Sequence, residues 1–423
     1  MKSNDRLKEG GAIGSRIRPK LTFMPLLAVV FMTAILTGCW DRLEIEERAI
    51  ILGVAIDTAP ESEVNKPSNK TYVGKQVPVT NSPMLRVTVQ VAVPGRIPLG
   101  SSESGGGAGT GNKPVWVVDA VGHTIDEAFS VLQRKVAHKV FWGHLRVIVI
   151  ADEVAKAGLS NIDEYLRRNP EIRRTSWIVV SEGEAGKFMR VVPQLERVPI
   201  LYILSTMEHA VKMGKLPNVF AGVYWSAASS KGSDPYLPYI RMVEGGTFEL
   251  SGLAYFRSDR MVGVTETLEI GAFMGIKNIQ TGGYSVLVQI PGTETAVVYQ
   301  ATHRKARIDV AIRNGEPVIN VKIHNEGNLL EKSNEKVQLS REVITDIEKE
   351  LNKQTLTNYR RLIRKTQQKG SDIFGFGEQV RANKSSYWNK EIRTKEKWEE
   401  VYKEIDVKLQ VTFSVRRVGG KTI

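Results

Sequence analysis

The fold class is indicated most clearly by residues 115–150, which read VWVVDAVGHTIDEAFSVLQRKVAHKVFWGHLRVIVI. Within this stretch an apolar strand is predicted over 115–121. It is followed by Thr124-Ile125-Asp126-Glu127, a sequence typical of a helix capping box, and we expect this helix to run to about His138. A second apolar strand is predicted over 145–150. A strand, a helix and a strand in such close succession indicate mixed α and β structure.

The same alternation continues on both sides of this stretch. Apolar and alternating segments predict further strands over 49–57, 84–93 and 177–180, and helices over 152–158 and 160–169. Residues 60–83 and 98–114 are rich in loop-forming residues, and the second of these segments contains GGGAGTG. These elements together predict an N-terminal α/β domain over 39–187.

The rest of the chain predicts two more units, a middle domain over 188–278 and a C-terminal α+β domain over 279–423. The middle domain is predicted to contain a helix over 201–212 and a hairpin over 248–256 and 261–264. The C-terminal domain is predicted to contain strands over 284–290, 295–301, 303–313, 317–325 and 407–418, and helices over 340–368 and 386–403. The predicted fold class is therefore α+β, with three domains that each contain a β-sheet flanked by helices and loops.

The helix over 340–368 carries the strongest helical pattern in the chain. Apolar or small residues recur at spacings of three and four on one face, at Ile344, Ile347, Leu351, Thr355, Tyr359 and Leu362. Acidic residues are concentrated in its first half and basic residues at its end, which matches the helix dipole, and Gly370 can serve as the C-terminal cap. We expect this helix to pack on the sheet of its own domain; the alternative is that it docks a partner.

The N-terminal segment has the organisation of an export signal. Six basic residues precede an uncharged apolar run over 21–36, which ends in Leu36-Thr37-Gly38-Cys39. This ending resembles the lipobox of bacterial lipoproteins, and Cys39 is the only cysteine in the chain. Residues 1–38 are therefore predicted to be a signal peptide, cleaved between Gly38 and Cys39, with a lipid on Cys39. The alternative is an uncleaved signal anchor.

The sequence provides little support for catalysis or for bound cofactors. Neither a complete phosphate-binding loop nor a Gly-x-Ser-x-Gly nucleophile elbow is present. No two of the six histidines are spaced four residues apart on a predicted helix, and a second cysteine is lacking. We therefore predict no catalytic residue, no metal and no cofactor. Removal of the predicted signal peptide, with its six basic and two acidic residues, lowers the net charge from +13 to +9. This charge favours an anionic lipid surface, and nucleic acid is not expected as a partner of an exported, membrane-tied chain.

Two short constellations are unusual enough to be candidate structural or partner-contact sites. In Phe141-Trp142-Gly143-His144 we expect a structural turn, with a special backbone conformation at Gly143 and local hydrogen bonding by His144. In Ser371-Asp372-Ile373-Phe374-Gly375-Phe376-Gly377 the alternation of glycine and phenylalanine predicts a tight loop held by aromatic burial. The alternative for the second constellation is that its aromatic side chains are exposed for contact with a partner.

Several motifs, taken in order along the chain, resemble one known family. These motifs are Cys39-Trp40-Asp41-Arg42-Leu43-Glu44-Ile45-Glu46-Glu47-Arg48-Ala49, Gly53-Val54-Ala55-Ile56-Asp57, Phe141-Trp142-Gly143-His144-Leu145, Ser251-Gly252-Leu253-Ala254-Tyr255-Phe256 and Asp372-Ile373-Phe374-Gly375-Phe376-Gly377, followed by Trp388 and Trp398. Together they resemble the Ger(x)C spore germination lipoproteins. Members of that family are the C subunits of GerA-type nutrient germinant receptors.

The resemblance implies three sheet-centred domains and a non-catalytic role in nutrient-triggered germination. It also implies a location on the outer face of the spore inner membrane, beside two integral membrane subunits of which one is permease-like. The second hypothesis is a lipoprotein solute-binding protein of a transport system. That class is built from two similar lobes around a cleft, and the sequence shows no such duplication.

Overall fold

The computed structural model describes residues 47–64, 66, 71, 83–93, 114–191, 196–279, 282–418 and 421–422. Arg48 and the residues after it form one compact unit. The predicted signal peptide, Gly38 and Cys39 lie outside the described residues. Within the described ranges, no helix combines the length and the hydrophobicity that crossing a bilayer requires.

The first sheet is mixed and contains nine described strands. In space its order is β3-β2-β1-β5-β6-β7-β8-β9, with the short β4 paired to β1. Their bounds are Arg48–Thr58 (β1), Leu85–Ala92 (β2), Val115–Gly122 (β3), Lys139–Phe141 (β4), Val147–Ala151 (β5), Trp177–Ser181 (β6), Tyr236–Val243 (β7), Thr247–Arg257 (β8) and Arg260–Val264 (β9).

The centre of this sheet is parallel, and its edges are antiparallel. β1, β5, β6 and β7 pair in parallel, whereas β2 and β3 on one side and β8 and β9 on the other pair antiparallel. All the residues of β5 and β6 are buried, as expected for parallel strands that are covered on both faces. The helices of this part of the chain are Glu61–Val64 (α1), Ile125–Gln133 (α2), Asp152–Ala157 (α3), Ser160–Arg168 (α4), Pro199–Lys212 (α5), Ala221–Ala228 (α6) and Thr267–Ile276 (α7), with a 3₁₀ turn at Ala185–Met189.

The second sheet has five strands in the order β10-β11-β12-β13-β14. β12 and β13 pair in parallel, and all the other neighbouring strands of this sheet pair antiparallel. The strands are Ser285–Gln289 (β10), Ala296–Arg313 (β11), Glu316–Lys332 (β12), Asp406–Val418 (β13) and Lys421–Thr422 (β14). The helices of this part are Arg341–Lys369 (α8), Phe376–Asn383 (α9), Ser385–Tyr387 (α10) and Lys395–Tyr402 (α11), with a π turn at Trp388–Ile392.

The predicted long helix is confirmed as α8. The Ser340 side chain accepts a hydrogen bond from the Val343 N–H at its start, and Gly370 ends it in the left-handed conformation at φ +66°. α8 packs against β13, β10 and α7. Its first buried residues, Ile344, Ile347 and Leu351, belong to a hydrophobic cluster that it shares with the second sheet. The α+β class is confirmed together with this helix.

Some element boundaries differ from those predicted. β11 is a single strand across the break predicted near 302, where a shift of register occurs instead. α2 ends at Gln133, before the predicted His138. The helix predicted over 386–403 is interrupted, because Arg393 adopts φ +64° between the π turn and α11. The sequence patterns did not predict β4, β7, β14, α1, α6, α7 or α9, and α1 lies in a segment predicted as a loop.

The first sheet also includes strands from both sides of the predicted boundary between residues 187 and 188. β6 precedes this boundary and β7 follows it, yet Val180 and Ser181 of β6 pair with Tyr239 and Ile240 of β7. The division of the chain into three domains stays a prediction.

Candidate functional site

The segment that follows α8 is enclosed by the rest of the fold. Ser371, Asp372 and Ile373 have no exposed surface, and Phe374 and Phe376 are 2% and 0% exposed. The two phenylalanine rings stack with their centroids 5.2 Å apart. Neither ring is exposed for contact with a partner, so the segment acts as an internal anchor in this structure.

The Asp372 carboxylate organises this segment. Its Oδ1 accepts a hydrogen bond from the Gly375 N–H at 2.8 Å. Its Oδ2 accepts hydrogen bonds from the Gly377 N–H at 2.8 Å and from Trp398 Nε1 at 2.9 Å. Burial raises the pKa of Asp372, and the hydrogen bonds from Gly377 and Trp398 and the Lys277 ammonium oppose that rise. The carboxylate thus holds the loop and α11 together.

Asp234, in the loop after α6, is joined to Asp372 through the backbone. The Asp234 N–H donates to the Asp372 carbonyl at 2.8 Å, and the Asp372 N–H donates to Asp234 Oδ2 at 2.9 Å. Asp234 Oδ1 also lies 3.1 Å from Lys395 Nζ and accepts from the Ser258 N–H at 3.1 Å. Burial raises the pKa of Asp234 to about 6, although Lys395 acts in the opposite direction.

A third acid, Glu399 of α11, completes the cluster and is 3% exposed. Its Oε2 lies 2.9 Å from Arg257 Nε, and its Oε1 accepts from Ser258 Oγ at 2.7 Å. The name "C-terminal junction" is used below for Asp234, Arg257, Asp372, Lys395, Trp398 and Glu399. It ties the end of the chain to the β8–β9 turn of the first sheet.

Two glycines allow the backbones at the C-terminal junction to approach closely. A Cβ on Gly377 would lie 2.4 Å from Trp398 Nε1 and 2.7 Å from the Gly232 Cα. A Cβ on Gly232 would lie 2.4 Å from the Glu378 nitrogen. Because real Cβ contacts are not this short, the contact between the two loops requires glycine at both positions. The buried rings of Trp388 and Tyr402 both pack against Trp398, with centroids 5.7 and 6.4 Å from that of its ring.

Comparison with known proteins gives the same assignment along almost the whole chain. The family model described as "Spore germination protein N-terminal domain" matches residues 41–242. The model described as "Spore germination B3/ GerAC like, C-terminal" matches residues 251–419. The chain belongs to the Ger(x)C family of spore germination proteins. The family resemblance stated from the motifs is thereby confirmed.

Two relatives from Bacillus subtilis show how completely this Ger(x)C chain aligns. It is 28% identical to the "Putative spore germination protein YfkR" over 94% of this chain and 96% of the relative. It is 26% identical to "Spore germination protein KC" over 93% of this chain and 96% of the relative. Relatives of this type support a role in germination.

A solved structure supports the fold. The chain is similar to the structure titled "Crystal Structure of the GerBC protein", with a TM-score of 0.53 and 19% sequence identity. The match covers 79% of this chain and 94% of the other. At this identity the likeness concerns the fold alone.

The other constellation of this Ger(x)C chain, Phe141 to His144, lies at the entrance of β5. Trp142 is buried with its ring centroid 4.3 Å from that of Phe129, and its backbone N–H donates to Glu171 Oε2 at 3.0 Å. Gly143 is absent from the residues with positive φ, so the special backbone conformation expected there is wrong. A Cβ on Gly143 would lie 2.4 Å from Phe141 Cζ, so steric closeness explains the glycine.

The candidate structural or partner-contact residues predicted from the sequence lie at two separate places in the structure. Phe374 to Gly377, Trp388 and Trp398 lie together in or beside the C-terminal junction, whereas Gly143 and the exposed His144 belong to the entrance of β5. A partner-contact role for any of them stays a prediction. Among the residues that the structure describes, no group of three or more His, Cys, Asp or Glu side chains is placed to hold a metal.

Sequence reasoning missed Asp234, Arg257, Lys395 and Glu399. Each is an ordinary charged residue next to a polar turn or on a short helix. The residues of the junction are also far apart along the chain, with 138 positions between Asp234 and Asp372. No periodicity connects residues at such a distance along the chain. The only local signal was Asp234-Pro235, which marks a turn but not a buried charge.

Proposed function

We propose that this chain is a lipid-anchored, non-catalytic subunit of a nutrient germinant receptor, required for nutrient-triggered spore germination. It would lie on the outer face of the spore inner membrane, beside two integral membrane subunits of which one is permease-like. The observation that carries this proposal is the pair of family matches over 41–242 and 251–419, of which the first begins two residues after the lone cysteine at position 39.

The anchor would follow from the chemistry at Cys39. Two acyl chains contribute ~0.8 kcal/mol per buried CH₂ group, which gives attachment on the order of 20 kcal/mol. The excess of Lys and Arg over Asp and Glu would add attraction to anionic lipid headgroups. Both effects would hold the body of the protein close to the bilayer surface.

The geometry of the C-terminal junction supports a scaffold role rather than a catalytic one. Asp234, Asp372 and Glu399 each accept hydrogen bonds from fixed N–H or O–H donors and are almost completely buried. Acids held in this way stabilise a loop arrangement, and they are inaccessible to a substrate.

The fold also argues against the solute-binding alternative. That class is expected to contain two similar lobes, whereas the described residues form a mixed sheet of nine strands and a different sheet of five strands. The two sheets share neither strand order nor the pattern of parallel pairs. Duplication is therefore not supported by the structure.

The anchor can be tested with Cys39→Ala and a matched control, Gly38→Ala, which keeps a small residue before the cleavage site. We expect Cys39→Ala to leave the spore membrane fraction and Gly38→Ala to stay in it. Mass spectrometry of the purified mature protein should show a diacylglyceryl group on Cys39. Retention of Cys39→Ala in the membrane with an unmodified N-terminus would overturn the anchor.

The receptor role needs a separate measurement, because a protein can be anchored without serving a receptor. Deletion of the gene should abolish germination triggered by the cognate nutrient and leave germination by a receptor-independent trigger unchanged. The two membrane subunits should also co-purify with this chain from detergent extracts. Loss of both triggers together, or co-purification of neither subunit, would contradict the receptor proposal.

A further inference from the structure

A cavity lies between the second sheet and the two helices α7 and α8. Its volume is ≈720 Å³, within the range of about 300–1,000 Å³ that is typical of small-molecule sites. Gly271 and Ala272 of α7 and Leu351, Thr355 and Tyr359 of α8 form part of its wall. The sheet contributes residues from β10 to β13, including polar side chains.

The most unusual wall residue is Arg304 of β11, which is only 3% exposed. Its Nη1 donates to the Gly271 carbonyl at 3.0 Å, while its buried Nε has no hydrogen-bond partner. In the described ranges, no carboxylate lies within ion-pair distance of Arg304, whereas the buried acids Glu399, Glu269 and Asp234 each have a basic partner. A buried guanidinium without an anion is costly, so this arrangement indicates a place for one.

Two further donors without partners line the same cavity. Asn325 Nδ2 and the Tyr299 hydroxyl are buried and make no hydrogen bond. Asn325 of β12 is the direct cross-strand neighbour of Arg304 and also pairs with Phe413 of β13. These neighbouring positions place a guanidinium, an amide and an aromatic side chain in one row across three strands, along the wall of the cavity.

The charges around the cavity have one sign. Lys353 and Arg361 of α8 also line it, and none of the described lining residues is acidic. Arg361 is engaged by Glu266 and Glu269 at 3.0 and 3.3 Å, which leaves Arg304 and Lys353 for a bound anion. An ammonium group, in contrast, would find no carboxylate there.

The rest of the lining is apolar and partly open to solvent. Leu268 of α7 and Leu287 of β10 are 58% and 67% exposed, which is high for large hydrophobic residues. Tyr284 and Phe413 add aromatic surface. A ligand with an apolar body would cover these side chains while its charged end reached Arg304.

We propose that this cavity binds a small organic carboxylate that has an apolar body and no cationic group. The carboxylate pairs with the Arg304 guanidinium beside Asn325, and the apolar body lies against Tyr284, Phe413 and the leucines. This binding site goes beyond the receptor role proposed above and does not depend on it.

The test uses the full mature protein in detergent with 3-phenylpropionate as the probe, and binding is followed by calorimetry and by thermal stabilisation. We expect saturable binding, at least tenfold tighter than binding of 3-phenylpropionamide, which lacks the charge. L-phenylalanine, which adds an ammonium group, should also bind at least tenfold more weakly. Inorganic phosphate should compete poorly, because it lacks the apolar body.

Variants locate the site. Arg304→Gln should weaken 3-phenylpropionate binding at least tenfold, since a hydrogen bond to a charged group is lost. Arg307→Gln, on the same strand but with an exposed side chain, should bind like the wild type. If Arg304→Gln does not fold, Thr355→Trp serves instead, because Thr355 is only half-buried and the larger ring would fill the cavity and prevent binding.

Three results would overturn the proposal. The first is the absence of saturable 3-phenylpropionate binding to the wild-type protein at millimolar concentration. The second is equal binding of the acid and its amide, which would remove the role of the charge. The third is unchanged binding by both Arg304→Gln and Thr355→Trp in folded protein, which would place the ligand elsewhere.

Discussion

Replacement of Asp372 by asparagine keeps the shape of the side chain and converts one acceptor oxygen into an NH₂ donor. The wild-type carboxylate accepts one N–H at Oδ1 and two at Oδ2. The best orientation of the amide keeps its oxygen on Gly377 and Trp398. Its NH₂ then faces the Gly375 N–H, which loses its short hydrogen bond and is left with only a long contact of 3.4 Å to the Asp372 carbonyl.

The magnitude follows from these three bonds. One unsatisfied buried N–H costs about 1–3 kcal/mol. The two remaining bonds change from charge-assisted to neutral, which costs up to about 1 kcal/mol each. Removal of a buried charge, whose burial already raises the pKa of Asp372, offsets part of this loss. We therefore expect Asp372→Asn to lower the free energy of unfolding by about 2–4 kcal/mol.

The assay is equilibrium urea unfolding of the protein at pH 7, followed by circular dichroism and by tryptophan fluorescence. Asp346→Asn is the matched control, because the Asp346 side chain on α8 is 50% exposed and its ion pair with Lys349 lies at the surface. It should change the free energy of unfolding by less than about 0.5 kcal/mol. Trp398→Phe should cost less in the Asp372→Asn background than in the wild type. A loss below about 1 kcal/mol for Asp372→Asn, or additive effects of the two substitutions, would refute the role assigned to this carboxylate.

Three further predictions concern other parts of the fold. Burial raises the pKa of Asp57 from 3.8 to about 6 in the folded protein. The stabilisation that comes from protonation of Asp57 is therefore complete below about pH 4 and is lost as the pH rises through 6. In urea unfolding, the stability of the wild type relative to Asp57→Asn should fall over this interval by about 1–3 kcal/mol and stay level above pH 7. Gly377→Ala should lower the melting temperature strongly because its Cβ would overlap Trp398, whereas Gly315→Ala, in open space at φ +82°, should cost only about 1–2 kcal/mol of backbone strain. Ser340→Ala should cost about 1 kcal/mol through loss of the N-cap of α8, as measured by thermal unfolding, and Ser340→Asp should restore it.

The elements that the sequence predicted well are those specified by local patterns. For α8, one continuous segment of sequence specifies where the helix starts, where it ends and which side is buried. Ser340 marks the start, Gly370 marks the end, and the apolar residues between them mark the buried face. The strands β5 and β6 are uninterrupted apolar runs between polar turns. Such elements depend little on distant contacts, so their positions could be predicted.

The missed elements depend on their surroundings instead. α7 is apolar on nearly all sides, which hides any helical period, and it is buried between β8 and α8. β7 contains Pro238, which argues against a strand within a sheet, yet it pairs with β6 and β8. The sequence did not indicate that Arg304 is buried, because other charged residues precede and follow it along β11. Only the folded sheet shows that this one is buried.

The C-terminal junction has a consequence for how the molecule is completed. The β8–β9 turn and the loop at Asp234 belong to the first sheet, yet their hydrogen-bond partners lie between Asp372 and Glu399. A growing chain lacks these partners until residues 372–399 have been synthesised, so one edge of the first sheet remains unfinished until then. Fragments cut after α8 should therefore be poor substitutes for the whole protein, even when they contain every strand of that sheet.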